Sequence, residues 1–452
     1  MDARQVVVVV GGAVAGSEAA ALGAERGALV IVIEQNARPY GKIEDGLPRW
    51  HVALRQKEYA RIDANLAHAN ILFVPKTRLG EELTLGELTD TLGVGTVILA
   101  NGAWRDRRLE LAGLNRFAGA GLIYQNALVR WFNHYAEADW TGPHYAVSDG
   151  AIVIGGGLAS LDVVKIINLE LFGRALAARG VEVDVVELEH AGIDKVLAEH
   201  GLTPEALGVR GCTLFYRRAA ENMPLASDVD PTPERLAKLQ KTRVKILEKV
   251  LRRYFVRFEA NAVAHGVLVE DERLAGLVFQ RTRVEGGRVV TIPGSDFEVR
   301  SELVVSSIGS LPEPLPGIPM ERDVYAFRDY ATGELDAARG LYGLGNVLTG
   351  RGNIKESRTS AREVVRRLAE QRHAGLLDID AASDEAHTAA RREASEVLDS
   401  ALLRPAMPAD RVEALLARVH RRWREVGYGG DYGTWIGAHR PWDWAATPTI
   451  DD

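Results

Sequence analysis

A turn near the start of the chain holds the residues with the clearest chemical potential: Gly11, Ala13, Ala15 and Gly16. It follows an uninterrupted apolar run, typical of a buried strand, and precedes an alanine-rich stretch that favours a helix. The next apolar run ends at Glu34, 18 residues after Gly16. Such turns let the backbone approach a diphosphate at a helix N-terminus, and the carboxylate accepts hydrogen bonds from a ribose. The pattern predicts a dinucleotide site, with which Ala13 is compatible if its φ stays negative.

A second turn of the same kind lies about 140 residues later and reads Gly155, Gly157, Leu158, Ala159 and Ser160. It also separates an apolar run from a helical stretch. Two such strand–turn–helix units predict two nucleotide-binding domains in one chain.

The strand that lies beside the second turn decides which ribose is recognised. Val181–Val186 leads into Glu187, whose carboxylate favours an unphosphorylated ribose and hence NAD. Cys212–Tyr216 leads into Arg217-Arg218, whose guanidinium groups suit a 2′-phosphate and hence NADP. Spacing from the turn leaves the two candidates close to even.

The elements that must position these turns alternate as in an α/β protein. Apolar runs predict strands at Arg4–Val10, Ala28–Ile33, Thr96–Ala100, Ala151–Ile154, Thr213–Tyr216, Leu303–Ile308 and Leu341–Leu344. Helices are predicted over Ser17–Arg26, from Leu158 to about Leu171 and from Lys355 to about Gln371. Residues 267–300 alternate in polarity around Gly286-Gly287, which predicts a hairpin or meander.

Composition narrows the function classes. The chain has 452 residues, of which 46% are hydrophobic and 26% charged, as in a globular protein of two or three domains. Its net charge of -7 argues against a nucleic-acid binder. With one cysteine, Cys212, the chain cannot form a disulfide pair or a cysteine-ligated cluster of its own, so redox chemistry requires an organic cofactor.

The sequence also bears on the cellular location of the protein and on metal binding. No apolar run approaches the roughly 20 residues needed to span a bilayer, which predicts no membrane segment. Asp2 and Glu18 stand where a secretory signal would not carry acids. We therefore expect a cytoplasmic protein. No histidine or acidic spacing suggests a metal site, and Cys212 is expected to be a small core residue.

Several collinear segments resemble the adrenodoxin-reductase-like ferredoxin–NADP reductases, flavoprotein relatives of the glutamate synthase small subunit. The resemblance spans roughly residues 4–372 and is carried by Pro39-Tyr40-Gly41 leading to His51, by Ile71–Gly80, Val97–Ala103, Ile123–Tyr135, Gly157–Lys165 and Leu341–Ile354. In that family a long insertion precedes the strand that ends in Arg-Arg. The resemblance therefore implies that 191–209 is the insertion and that NADP is the nucleotide.

The resemblance also implies a fold, two cofactors and a set of site residues. It implies two Rossmann-like domains, with FAD bound by residues 1–125 and 335–372 and NADPH by 126–334, followed by a helical, Trp-rich extension over 373–452. It implies that His51 and Asp162 lie beside the reacting groups. Further cofactor contacts are implied at Gly41, Lys42, Gly102, Arg217, Arg218, Gly345, Asn346, Asn353 and Ile354. Asn346 replaces a tryptophan, Lys42 an apolar residue and Glu44 a basic residue of the family.

The function implied is hydride transfer from NADPH to FAD and single-electron transfer to a ferredoxin-like iron–sulfur protein. Three alternatives remain: a dehydrogenase subunit of a larger complex, a flavoenzyme that acts directly on a small organic substrate, and a non-catalytic nucleotide sensor. The oligomeric state is left open by the sequence.

Two surfaces are candidates for docking an acidic partner. Arg49, Lys57 and Arg61 form a basic cluster after His51, although a solvated helix face explains them equally well. The extension carries a basic run, 420–422, and four tryptophans: Trp423, Trp435, Trp442 and Trp444. It is expected either to anchor a partner or to cap the FAD domain.

Overall fold

A computed structural model describes residues 3–226, 232–348 and 379–441. The first lobe is built on a six-stranded sheet, which is parallel except for one antiparallel edge strand, Glu334–Asp336. In spatial order its strands are Glu334–Asp336 (β17), Leu341–Gly343 (β18), Val97–Leu99 (β4), Val6–Val10 (β1), Leu29–Ile33 (β2) and Ile71–Val74 (β3). Every residue of β1 and β2 is buried, because both faces of the sheet are covered.

Helices of the first lobe are Val14–Glu25 (α1), Lys42–Asp45 (α2) and Val52–Leu66 (α3), with a π-helical turn at Glu87–Thr91 and a 3₁₀ turn at Gly345–Leu348. Helix α1 follows β1 directly, and α3 leads from β2 back to β3. Both helices therefore begin at the carboxyl edge of the parallel strands, where nucleotides bind in this class of sheet.

The second lobe contains a five-stranded, fully parallel sheet. In spatial order its strands are Leu122–Tyr124 (β6), Val304–Ser307 (β13), Ile152–Gly155 (β7), Thr213–Phe215 (β8) and Arg257–Glu259 (β9). Its helices are Gln125–His134 (α4), Leu158–Ala177 (α5), Val185–Ala191 (α6), Ile193–Glu199 (α7), Pro204–Leu207 (α8) and Pro233–Arg253 (α9), with 3₁₀ turns at Leu114–Phe117 and Ala220–Asn222.

A three-stranded antiparallel sheet covers the face of the second sheet opposite its helices. It comprises Ala262–Glu270 (β10), Arg273–Glu285 (β11) and Arg288–Arg300 (β12), so the meander expected over 267–300 is present. Two short ribbons complete the strands: Arg105–Asp106 (β5) with Ser310–Leu311 (β14), and Met320–Glu321 (β15) with Val324–Tyr325 (β16).

The helices of the C-terminal extension pack on both faces of the first sheet. They are Ile379–Ala401 (α10), Ala409–Val426 (α11) and Tyr432–Ala438 (α12). Helices α10 and α12 pack with the face of the sheet that carries Val7 and Val9, whereas α11 packs with the face that carries Val8. The extension therefore forms part of the core of the first lobe.

One predicted strand is wrong. Val181–Val186 does not join a sheet, because helix α6 begins at Val185. The Asp184 side chain accepts a hydrogen bond from the Val186 N–H and caps this helix. Glu187 therefore lies on a helix, and β8 is the strand that pairs beside β7. The other strands begin and end within two residues of their predicted bounds.

Candidate active site

The first glycine turn joins β1 to α1 with no room for side chains at Gly11 and Gly16. Gly11 has φ +98°, and a Cβ there would lie 2.6 Å from the Ala100 carbonyl oxygen. A Cβ on Gly16 would lie 1.8 Å from the Gly11 carbonyl oxygen. Ala13 has φ −71°, so the alanine fits the turn without strain. The helix can begin this close to the sheet only with these residue types.

The N-terminus of α1 is lined by backbone and methyl groups. Gly41 and Gly345 have positive φ, and a Cβ on either would come within 2.9 Å of the methyl groups of Ala13 and Ala15, respectively. Gly102, at the end of β4, also has positive φ (+71°). Helix α1 has no side-chain cap, so its first N–H groups remain for an anion. This cradle fits the diphosphate of a dinucleotide.

Glu34 lies directly after β2, and only 4% of it is exposed. Its carboxylate accepts hydrogen bonds from the Gly12 N–H (3.0 Å) and the Asn36 N–H (2.9 Å). Burial raises its pKa to about 7, although the two N–H groups oppose the rise. The carboxylate thus borders the first turn, as a ribose ligand would.

The second turn also joins a strand to a helix, but it has free space at Gly157. A Cβ on Gly155 would lie 2.2 Å from the Ser160 hydroxyl oxygen, whereas a Cβ on Gly157 would meet no atom within 4 Å. Gly157 precedes α5, whose first two residues are Leu158 and Ala159, and the helix has no side-chain cap. The Ser160 hydroxyl donates to the carbonyl oxygen of Ser307, so it joins helix to strand instead of facing the turn.

Strand β8 places an aromatic ring and two arginines beside the second turn. The Tyr216 ring lies against Gly156, where a Cβ would be 2.2 Å from the ring. Arg217 is exposed. Arg218 is half-buried, and its guanidinium donates to the Gly287 carbonyl oxygen (3.2 Å) at the tip of the β11–β12 hairpin. The arginine pair thus lies at the carboxyl edge, next to the turn.

His51 lies between the lobes. It immediately precedes α3, it is 5% exposed, and its Nε2 accepts a hydrogen bond from the Trp50 indole (3.0 Å). Trp50 belongs to the core of the second lobe, and the Lys165 Nζ of α5 lies 4.5 Å from its ring centroid. Asp162, also on α5, is buried.

Lys42 links the lobes at a second point. Its Nζ donates to Asn126 Oδ1 (3.0 Å) and to the Ser310 hydroxyl (3.2 Å), and it lies 5.4 Å from the Trp104 ring centroid. Asp106 accepts a hydrogen bond from the Asn126 N–H, and burial raises its pKa to about 6. The lysine that departs from the family pattern therefore ties α2 to the second lobe.

Helix α4 provides a third link. Asn133 donates from Nδ2 to the carbonyl oxygens of Glu44 (2.7 Å) and Leu47 (3.0 Å). His134 lies between Asp45 (2.8 Å) and Glu137 (2.5 Å). These contacts join the segment after Gly41 to the second lobe.

The basic cluster expected to steer a partner is engaged within the chain. Arg49 is 5% exposed and stacks on Phe132. Lys57 and Arg61 pair with Asp384 on α10, at 3.8 and 2.9 Å. The extension therefore occupies part of this helix face, and the steering of a partner by this cluster stays a prediction.

The tryptophans of the extension that the structure describes are likewise engaged. The indole N–H of Trp423 donates to the Phe73 carbonyl oxygen, and that of Trp435 donates to the Ala37 carbonyl oxygen, both at 2.8 Å. Arg422 donates to the Thr77 hydroxyl (2.9 Å). These residues cap the first lobe, one of the two roles expected for the extension, and the anchoring of a partner stays a prediction.

Some predicted residues lie outside the described part of the chain: Asn353, Ile354, Trp442, Trp444 and the helix from Lys355 to Gln371. Asn346 lies in the 3₁₀ turn after β18, next to Gly345. Among the described residues there is no cluster suited to a metal ion, and no helix there is long and apolar enough to cross a bilayer. Cys212 is a buried core residue, and burial raises the pKa of its thiol.

Sequence reasoning missed three residues that shape the site: Trp50, Lys165 and Tyr216. Trp50 and Lys165 meet only through tertiary packing, and nothing in their spacing indicates it. Tyr216 carried a local signal, because it directly precedes the Arg-Arg pair at the strand end.

Comparisons with known proteins agree with this geometry. No protein-family model matches the chain. The chain is 25% identical over 358 residues to the mitochondrial NADPH:adrenodoxin oxidoreductase of Arabidopsis thaliana, covering 70% of this chain and 69% of the relative. Two structures of FprA from Mycobacterium tuberculosis, one of them in complex with NADPH, share 18% identity and superpose with TM-scores of 0.61 and 0.62, covering 93% of this chain and 90% of FprA.

The structural matches establish the fold: two Rossmann-like lobes with a helical C-terminal region. In sequence and in fold, this chain resembles the adrenodoxin-reductase-like ferredoxin–NADP reductases.

Proposed function

We propose that the chain is an NADPH-dependent FAD oxidoreductase that delivers electrons singly to a ferredoxin-like iron–sulfur protein. The observation that supports it most is the pair of glycine turns, each at the carboxyl edge of its own parallel sheet, with His51 between the lobes. One nucleotide on each turn would bring two redox-active rings toward the same junction. A single-nucleotide enzyme or a sensor does not need this arrangement.

The residues divide between the two cofactors. We assign FAD to the first turn, with Glu34 at its ribose and Gly41, Lys42, Gly102, Gly345 and Asn346 around it. NADPH is assigned to the second turn, with Arg217 and Arg218 at its 2′-phosphate. The domain bounds follow as 1–125 with 335–372 for FAD and 126–334 for NADPH. When bound, FAD can accept a hydride and release electrons one at a time.

The protein contributes geometry and charge at the junction. Lys42 places a positive charge between the lobes, Trp50 orients the His51 ring through its indole N–H, and Asp162 contributes a buried carboxyl group. Hydride transfer requires no acid or base, so we assign His51 and Asp162 roles in orienting groups at the junction. The electron acceptor is proposed from the family resemblance, and the single cysteine suits a reducing compartment such as the cytoplasm.

The first test uses the open space at Gly157. A Cβ at Gly157 would meet no atom within 4 Å, so we expect Gly157→Leu to keep the fold while its side chain occupies the cradle and excludes NADPH. Anaerobic titration should show flavin reduced by NADPH in the parent protein and by dithionite only in the variant. Gly173→Ala, in the C-terminal part of α5, is the matched control and should behave like the parent.

The identity of the electron acceptor is tested with a panel that contains a ferredoxin and small organic compounds. Rapid NADPH-dependent reduction of a plant-type ferredoxin supports the proposal, whereas reduction of small organic acceptors alone would favour an enzyme acting on such substrates. A parent protein that binds flavin but is not reduced by NADPH would refute the oxidoreductase assignment altogether.

A further inference from the structure

A cavity of about 140 Å³ lies among α5, α6, α9 and the residue before α3. Its floor is buried and includes His51, Lys165, Glu189 and Tyr254. Lys165 is the eighth residue of α5, so the cavity lies about 10 Å along the helix from the second turn. It therefore lies apart from the second glycine turn, and through His51 it borders the junction of the lobes.

The floor of the cavity is electrically balanced. Lys165 forms an ion pair with Glu189, and the Tyr254 hydroxyl donates to the same carboxylate (3.1 Å). The Lys165 ammonium also lies over the rings of Trp50 and Tyr254, at 4.5 and 5.0 Å from their centroids. This arrangement holds the buried ions in place.

The rim of the cavity carries excess positive charge. Lys249 and Arg253 line it from the last turns of α9, and both are half-buried. Arg253 donates to the carbonyl oxygens of Glu189 and His190, which are neutral. Neither cation forms an ion pair with any residue that the structure describes. Two cations that form no ion pair with a described residue, at the rim of a partly enclosed cavity, favour an anionic ligand.

The size of the cavity limits the ligand. A cavity of about 150 Å³ accommodates a benzene ring, so this one suits about six non-hydrogen atoms and is far too small for a dinucleotide. We propose that the cavity binds a small oxyanion, either a carboxylate or a phosphate, which contacts His51 of the first lobe and Lys249 and Arg253 of the second. The proposal does not depend on the identity of the electron acceptor.

The test is calorimetric titration of the full-length protein with sodium phosphate and, separately, with sodium butyrate, at constant ionic strength and pH 7. At least one anion should bind at a single saturable site. Lys249→Gln should weaken binding about three- to tenfold, and Lys249→Glu should abolish it, because a charge-assisted contact becomes repulsive. Lys245→Gln, exposed one turn earlier on α9, is the control and should leave the dissociation constant unchanged.

Circular dichroism of each variant establishes that the fold is retained. The absence of saturable binding of either anion would overturn the proposal, as would an unchanged dissociation constant in Lys249→Glu. Binding that is lost in Arg217→Ala but kept in Lys249→Glu would place the ion at the second turn and would also overturn it.

Discussion

At the scale of single residues, the two arginines after β8 are not equivalent. Arg217 is exposed, whereas Arg218 is half-buried and donates to the Gly287 carbonyl oxygen of the hairpin. The Thr282 hydroxyl of β11 also donates to the Arg217 carbonyl oxygen. The hairpin thus holds the backbone of the pair while Arg217 keeps its side chain in solvent. A 2′-phosphate would therefore be recognised mainly by Arg217.

We predict that Arg217→Ala lowers the preference for NADPH over NADH by at least about tenfold. The lost contact is a charge-assisted hydrogen bond, worth roughly 1.5–3 kcal/mol, and every 1.4 kcal/mol corresponds to about a factor of ten. Steady-state kinetics with ferricyanide provide kcat/KM for both donors. Arg210→Ala is the control, because Arg210 pairs with Asp149 at the opposite edge of the sheet. If NADH is already the better donor for the parent protein, the assignment of the 2′-phosphate is wrong.

Residues whose roles depend on local backbone geometry were predictable from the sequence. Gly11, Gly16 and Gly155 occupy turns where a Cβ would collide with the chain, so their identity follows from the motif. Lys165 could not be predicted in the same way, because its significance depends on Trp50, more than a hundred positions away in the chain. Local spacing carries no information about such pairs.

At the scale of elements, the strands could be predicted from local sequence, whereas the packing of the C-terminal extension could not. Buried parallel strands are continuous apolar runs, and they were located within two residues. The alternating valines of 181–186 are typical of a strand, but a helix begins within this segment and the Asp184 side chain caps it. For α10 to α12, an amphipathic pattern shows that one face is buried without showing against which surface it packs.

A buried histidine fixes the extension to the first lobe. His387 of α10 is fully buried, and its ring nitrogens contact Glu18 of α1 (2.7 Å) and Glu58 of α3 (2.8 Å). Burial lowers the pKa of His387, but the two carboxylates outweigh burial and the net pKa is raised. One imidazolium thus joins three helices.

We predict that His387→Ala lowers the free energy of unfolding by roughly 3 kcal/mol, the low end for breaking a buried ion pair, because Glu58 loses the imidazolium while Glu18 keeps Arg61 and Arg391 at 3.6 and 3.5 Å. Urea denaturation at pH 7, followed by circular dichroism, measures the change. The adjacent, exposed Thr388→Ala should stay within about 0.5 kcal/mol of the parent. Deletion of 379–452 should cost both ferricyanide and ferredoxin reduction through loss of the folded first lobe. Loss of ferredoxin reduction alone would contradict this structural role.

At the scale of the whole molecule, the two lobes are joined by polar links as well as by apolar packing. The ribbon of β5 with β14, the Lys42 contacts and the α2–α4 contacts all cross the junction. The links cross the same junction at which the two nucleotides are proposed to meet. Their strength therefore bears on how firmly the lobes are held together.

His134 makes the junction sensitive to pH. Burial disfavours its protonation, but hydrogen bonds and charges from Asp45 and Glu137 dominate and raise its pKa to about 9. The pKa of an unfolded histidine is about 6.5. Because the folded pKa is the higher one, the stabilisation is fully present below about pH 6.5 and is lost as pH rises through about 9.

We predict that the free energy of unfolding of the parent protein exceeds that of His134→Gln by a few kcal/mol at pH 6 and that this difference shrinks steadily up to about pH 9.5. Urea titrations at half-unit pH intervals supply the two curves. Subtracting one curve from the other removes contributions to the pH dependence that both proteins share, such as those of His387 and of the buried Cys212 thiol. His439→Gln is a control, because the His439 ring contacts no carboxylate among the described residues and its Nδ1 lies 2.8 Å from the Trp435 carbonyl oxygen. A difference that is independent of pH would mean that His134 is neutral in the folded protein and that the lobes are held together by packing and uncharged hydrogen bonds.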